Sequence, residues 1–177
     1  MARLQLTLLL VAALACSSLP AWAAAPKAQA GPFRIDQSKI GRAPLGKTVA
    51  FYRAAYGNPG VRVLRGGGFD RLIFGEWHLE VLFRPGGKTA VGVITWAARV
   101  ETGLGVGACS RTSTLISAYG AHLDRVAVAK TLTAYRLGRL VFVAGSEGFV
   151  RSVGLLAPGV SISPVLAAPV CGSPSVA

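Results

Sequence analysis

Acidic residues are scarce in this chain. Seven Asp and Glu stand among 177 residues, against 19 Lys and Arg. They are Asp36, Asp70, Glu76, Glu80, Glu101, Asp124 and Glu147. Glu76 and Glu80 form the closest pair, and on a strand they share one face. Four strand residues then separate them by more than the ~5–9.5 Å that suits a glycosidase pair. Histidine is rarer: His78 and His122 stand far apart, with no Cys or acid at ligand spacing. Neither a metal site nor a histidine dyad is expected from them. No G-x-S-x-G stretch occurs, so there is no serine elbow. A secreted enzyme is therefore the third of three readings, with no catalytic, cofactor or metal residue assigned.

Cysteine is also sparse, and its placement is informative. Cys16 lies in an N-terminal stretch with the three parts of a signal peptide: Arg3, an apolar run from Leu4 to Ala15, and the small-x-small site Ala21-Trp22-Ala23. Ser17, Ser18 and Pro20 interrupt the ~20 apolar residues that a retained anchor needs. Lipidation of Cys16 is disfavoured by Ala13, where a larger aliphatic is usual. Cleavage after Ala23 is expected, giving a secreted or periplasmic, cell-envelope protein without a transmembrane segment. That removes Cys16 and leaves Cys109 and Cys171 to pair in an oxidising compartment.

What is abundant is positive charge, glycine and β-forming residues. The formal charge of +12 suits anionic partners such as envelope polymers or an acidic protein. No recognisable nucleic-acid motif concentrates the basic residues, so a specific nucleic-acid partner is not expected. Residues 24–38 contain Ala, Pro and Gly and predict a flexible lead-in.

Two segments that follow look alike. Ile40-Gly41-Arg42-Ala43-Pro44-Leu45-Gly46 leads through Thr48 and Ala55 to Tyr56-Gly57; Thr102-Gly103-Leu104-Gly105-Val106-Gly107 leads through Ser110 and Ala118 to Tyr119-Gly120. Each predicts a Gly-rich turn and a short helix, capped by Thr48 or Ser110 and ended by a left-handed Gly57 or Gly120. Strands come next. Glu76 to Arg84, Thr89 to Val100, Leu132 to Leu137, Arg139 to Ala144 and Phe149 to Leu156 are rich in β-branched and aromatic residues and separated by turn sequences. The expected fold is α+β: a domain over 39–160 built from two tandem repeats, 39–100 and 101–160, each a short helix plus an antiparallel meander. Residues 161–177 form an extended tail tethered by Cys171.

Over residues 40–57 and 102–120 this pattern resembles the helix-plus-meander repeats of the β-lactamase inhibitory protein superfamily. The Gly-x-Gly helix start is also similar to small envelope proteins of the outer-membrane assembly lipoprotein type. The resemblance implies a non-enzymatic module that binds another protein through an exposed sheet face or loops. It carries over no binding residue.

Gly41-Arg42-Ala43-Pro44-Leu45-Gly46-Lys47-Thr48 matches the P-loop pattern G-x-x-x-x-G-K-[ST]. The preceding Phe33 to Lys39 is too polar for a buried strand, and Leu140 to Val143 is not followed by a magnesium-binding Asp. The hairpin pattern also lacks the long crossovers of a parallel sheet. Gly103-x-Gly105 with Ala108 and Asp124 is a partial dinucleotide fingerprint without a βαβ context. Both are expected to be helix starts, and no cofactor is expected. The candidate binding surface is Trp77, Trp96, Arg84, Arg99, Tyr135, Arg136 and Arg139, since aromatics and Arg are enriched at protein interfaces. The leading expectation is an exported binding or inhibitor-like protein. The alternative is a basic envelope protein attaching to anionic surface polymers.

Overall fold

The structure, a computed structural model, describes residues 33–58, 61–66 and 68–173. The expected signal peptide, 1–23, and most of the expected lead-in lie outside the described residues. Among the described residues, twelve strands and three α-helices follow one another: β1 (Arg34–Ile35), β2 (Lys39–Ile40), β3 (Ala43–Pro44), α1 (Val49–Tyr56), β4 (Val61–Gly66), β5 (Phe69–Phe74), β6 (Leu79–Phe83), β7 (Ala90–Thr95), β8 (Glu101–Thr102), α2 (Thr112–Tyr119), β9 (Asp124–Ala129), β10 (Leu132–Leu137), β11 (Leu140–Gly145), β12 (Val150–Leu156) and α3 (Ser163–Leu166). The fold is α+β, with antiparallel sheet as its main body. Eight strands pair in the order β4-β5-β6-β7-β12-β11-β10-β9, and the two-residue strands form a small sheet, β3-β2-β1-β8.

The helices start for different reasons. Thr48 Oγ1 accepts from the Phe51 N–H at 3.4 Å, and Gly57 closes α1 at φ 80°, where a side chain would be strained. α2 departs from expectation at both ends. Its N-cap is Arg111, without a side-chain hydrogen bond, because the Ser110 hydroxyl instead accepts from the Gly107 N–H at 3.0 Å. Gly120 is right-handed and runs on into a 3₁₀ turn, Gly120–His122.

Hydrophobic residues are buried on both faces of the large sheet. On one, Leu72, Phe74, Val81, Val93, Phe142, Val153 and Leu155 meet Tyr52 from α1 and Leu115 from α2. Ile35 and Ile40 of the small sheet join this core, so the ordered fold begins before the expected boundary at residue 39. On the other face, Leu82, Ile94, Val141, Val143 and Leu156 pack with Val160, Val165 and Ala168. The expected extended tail is thus in part a helical turn that covers the sheet. Gly154 makes the approach possible: a Cβ there would lie 2.5 Å from a Val165 methyl carbon. Ser152 Oγ donates to the Val165 carbonyl at 3.0 Å.

Cys109 and Cys171 are bonded, with Cα atoms 5.4 Å apart. Their amides donate to adjacent residues at the start of β12: Cys109 N–H to the Val150 carbonyl and Cys171 N–H to the Arg151 carbonyl. One strand end therefore holds both sides of the disulfide.

The sharpest local departure lies between β5 and β6. Glu76 and Trp77 belong to a 3₁₀ turn, Gly75–Trp77, followed by a left-handed His78 at φ 48°. Glu76 and Glu80 consequently do not share a strand face. Glu76 is exposed, whereas Glu80 is buried in β6. The His78 carbonyl is held from two sides, by the Trp96 N–H and the Thr95 hydroxyl, each at 3.1 Å.

Candidate functional site

The turn at 75–78 raises one wall of a groove of about 540 Å³. The loop from Trp96 to Val100, joined to that turn at His78, adds to the lining, and Tyr56, Ile40 and Phe33 complete it from the helix and the segment around the small sheet. Rings are packed closely here, two pairs edge to face and the Tyr56–Phe74 pair tilted at 45°. Tyr56 and Trp77 have centroids 5.5 Å apart, Tyr56 and Phe74 lie at 5.2 Å, and His78 stands against Trp96 at 5.8 Å. Such geometry suits the ring quadrupoles.

Three features set this groove apart from ordinary surface. Trp77 is 44% exposed although it is large and apolar. Trp96 is 1% exposed, yet its indole N–H is buried without a hydrogen-bond partner, a state that native interiors rarely leave unresolved. His78 holds a left-handed backbone, uncommon for a residue with a side chain and often found at binding sites. Arg42 and Arg99 add positive charge to the lining, and Glu76 is its carboxylate. Burial pushes the Tyr56 hydroxyl up to about 12, while a backbone hydrogen bond at Arg42 and the Arg42 charge pull the other way. Tyr56 is thus a neutral hydrogen-bonding group at any ordinary pH.

Of the seven residues expected to form a binding surface, the groove brings together Trp77, Trp96 and Arg99. The other four lie elsewhere. Tyr135 is buried in the core, because its position on β10 faces the helices. Arg84 and Arg136 are exposed away from the groove. Arg139 is exposed in the β10–β11 turn, where its backbone N–H donates to the Gln37 side chain at 2.8 Å. Sequence reading missed Phe33, Ile40, Arg42 and Tyr56 as lining residues. The available signal was Glu76-Trp77-His78, three large residues in a row that break strand alternation.

The P-loop match has a structural occupation. β2, which precedes it, is two residues long and antiparallel to its neighbours. The Gly46 N–H donates to the Ala90 carbonyl at 3.0 Å and the Lys47 carbonyl accepts from the Ala90 N–H at 2.9 Å. Thr48 is committed as the helix cap, and Lys47 Nζ sits 5.6 Å from the Phe51 ring centre. A phosphate cradle needs free, convergent loop amides. Magnesium-ATP is therefore expected to leave the melting temperature of both the protein and its Lys47→Ala variant unchanged. A rise of more than about 2 °C that Lys47→Ala abolishes would restore the nucleotide reading. The partial dinucleotide pattern is likewise a turn: the Thr102 N–H donates to the Val106 carbonyl, and Asp124 is exposed at the start of β9.

Among the described residues, no three of His, Cys, Asp and Glu are grouped to hold a metal ion. None of the described helices is long and apolar enough to cross a membrane. No protein family, curated protein or solved structure matches the chain.

Proposed function

We propose that the chain is an exported, non-enzymatic binding protein of the inhibitor-like kind, which grips a partner protein at the aromatic groove. The observation that carries this reading is the convergence of an exposed Trp77, an arginine at 99 and a buried Trp96 with an unused N–H. Exposed aromatic rings beside arginine are the composition of interface hot spots. The strand order supports two tandem helix-plus-meander repeats, because α1 with β4–β7 and α2 with β9–β12 follow one another and meet at β7 and β12. That arrangement suits the resemblance to the β-lactamase inhibitory protein superfamily. Export rests on residues 1–23, and the Cys109–Cys171 bond fits an oxidising compartment.

A second reading has its own observation. Arg84, Lys88, Arg136 and Arg139 are exposed and lie off the groove, as expected of a protein that attaches to anionic envelope polymers by charge alone. Capture experiments from secreted and envelope fractions separate the two. A partner held at the groove stays bound at about 0.5 M salt, where exposed charges more than a few ångströms apart are screened, and is lost with Trp77→Ala. Attachment by charge is lost with salt and is indifferent to Trp77→Ala, but falls in Arg84→Gln/Arg136→Gln/Arg139→Gln. Capture that survives both sets of substitutions overturns the groove as the partner site.

A further inference from the structure

We infer that the groove selects an extended partner segment in which an apolar side chain is followed closely by a carboxylate. This rests on reading the groove as the partner site. The apolar half comes from the walls: Phe33, Tyr56 and Trp77 present rings, and Ile40 and Leu79 present aliphatic carbon. The volume, about 540 Å³, is that of a ligand cleft. Its rim is open, since Phe33 is 54% and Trp77 44% exposed. A small-molecule pocket encloses most of its ligand's surface. A half-open aromatic trough instead suits a side chain projecting from a larger body.

The anionic half comes from charge. Arg42 and Arg99 line the groove with Glu76 as the opposing carboxylate. Glu80 is paired with Arg71 and Glu147 with Arg151, and among the described residues no ion pair joins Arg42 or Arg99 to an acid. Arg42 does approach Tyr56, a neutral phenol that leaves the guanidinium charge uncompensated. An arginine side chain recognises a carboxylate through paired, charge-assisted hydrogen bonds. The third element is Trp96, a lining residue whose indole N–H has no hydrogen-bond partner. It calls for an oxygen acceptor, and a peptide backbone supplies carbonyls at each residue.

The test uses indole signals in the nitrogen–proton NMR spectrum. The chain holds three tryptophans, Trp22, Trp77 and Trp96. Export with cleavage after Ala23 leaves the last two; an uncleaved chain carrying Trp22→Phe leaves the same pair, and Trp77→Phe assigns them. The probes are the blocked peptide acetyl-Ala-Phe-Glu-Ala-amide, its Gln and Ala-for-Phe analogues, and dodecanoate. The Phe–Glu peptide is expected to move the Trp77 signal, with the Gln analogue at least about fivefold weaker and the Ala analogue weaker still. Arg99→Gln should narrow the difference between the Glu and Gln peptides, and Arg42→Gln/Arg99→Gln should abolish it, without changing the spectrum of the folded core. Equal binding of Glu and Gln peptides by the unaltered protein overturns anionic selection while leaving an apolar partner site intact. Dodecanoate moving the signals where no peptide does overturns the peptide in favour of a small amphiphile. If nothing moves them, the proposal fails; if capture is also unaffected by Trp77→Ala, the groove reading fails with it.

Discussion

Replacing Cys109 and Cys171 together by serine is expected to lower the free energy of unfolding by about 3–4 kcal/mol. The bond joins positions 62 residues apart, and cross-linking a loop of that length removes much of the entropy of the unfolded chain. The folded side of the balance changes little at first, since the cysteine amides can keep their bonds to Val150 and Arg151. What weakens is the attachment of the last described segment. Without the bond, Val160, Val165 and Ala168 must cover Leu82, Ile94 and Val141 through packing alone. Urea unfolding of the double variant should show a midpoint lower by roughly 1.5–2 M for an m-value near 2 kcal/mol/M. The wild-type protein with reductant should behave like the variant. Both cysteines should be silent to a thiol reagent before reduction. A variant within about 1 kcal/mol of wild type would mean that unfolded-state entropy is not what this bond controls.

The second large effect centres on Glu80. It is 1% exposed as the second residue of β6, and its oxygen accepts from Arg71 Nε on the neighbouring strand β5. Burial raises the Glu80 carboxyl above its ordinary value of 4.5, and the hydrogen bond and charge of Arg71 oppose that rise. An acid raised in the folded state binds its proton longer there than in the unfolded chain. Its contribution therefore falls as pH climbs from the unfolded value through the folded one, and the penalty is absent below about 4. Arg71→Met removes the opposing charge and enlarges that penalty. The variant should lose on the order of 3 kcal/mol near pH 7 and recover most of it towards pH 4. Arg71→Met/Glu80→Leu should recover it at every pH, because replacing both members of a buried pair by apolar groups leaves no stranded charge. A deficit that is flat between pH 4 and 7 would show that Arg71 acts through its aliphatic packing instead.

Much of this architecture was legible in the residues, and the failures share a cause. Thr48, Gly57 and the glycine-rich turns carry their conformations locally, so α1 and the hairpins β6–β7, β10–β11 and β11–β12 could be placed from sequence, whereas β4, β5 and β9 were not read as strands. The cysteine pairing followed from counting once Cys16 was set aside. Less legible were places where a distant segment decides. β6 reads Leu79-Glu80-Val81-Leu82-Phe83, buried at every position, because residues beyond Leu156 cover the second face of the same sheet. Their Pro-, Ser- and Val-rich sequence looks extended until that contact exists. Ser110 lost its expected role in the same way, to the amide of Gly107. Within the groove, Trp77, Trp96 and Arg99 were legible by residue type. Tyr56, Arg42 and Phe33 were not, since their nearness to Trp77 depends on the small sheet folding back. Trp96 gave no sign that it would be buried while its neighbour in space stayed exposed.

The joint between β7 and β12 has a consequence for how the chain folds. Every other neighbouring pair in the large sheet is a sequential hairpin, closed by a turn of a few residues. The β7–β12 pairs, such as Ile94 with Gly154 and Val93 with Leu155, join positions roughly sixty residues apart, where loop closure is slowest and most costly in entropy. Cooperativity thus concentrates in one contact line. Cys109 and Cys171 span an interval of similar length and meet at the foot of β12, so oxidation shortens the covalent path between β7 and β12, the one pairing in the large sheet that local sequence cannot drive. In the oxidised protein, two halves of the sheet that come apart therefore have a shorter path back to each other than in the reduced protein.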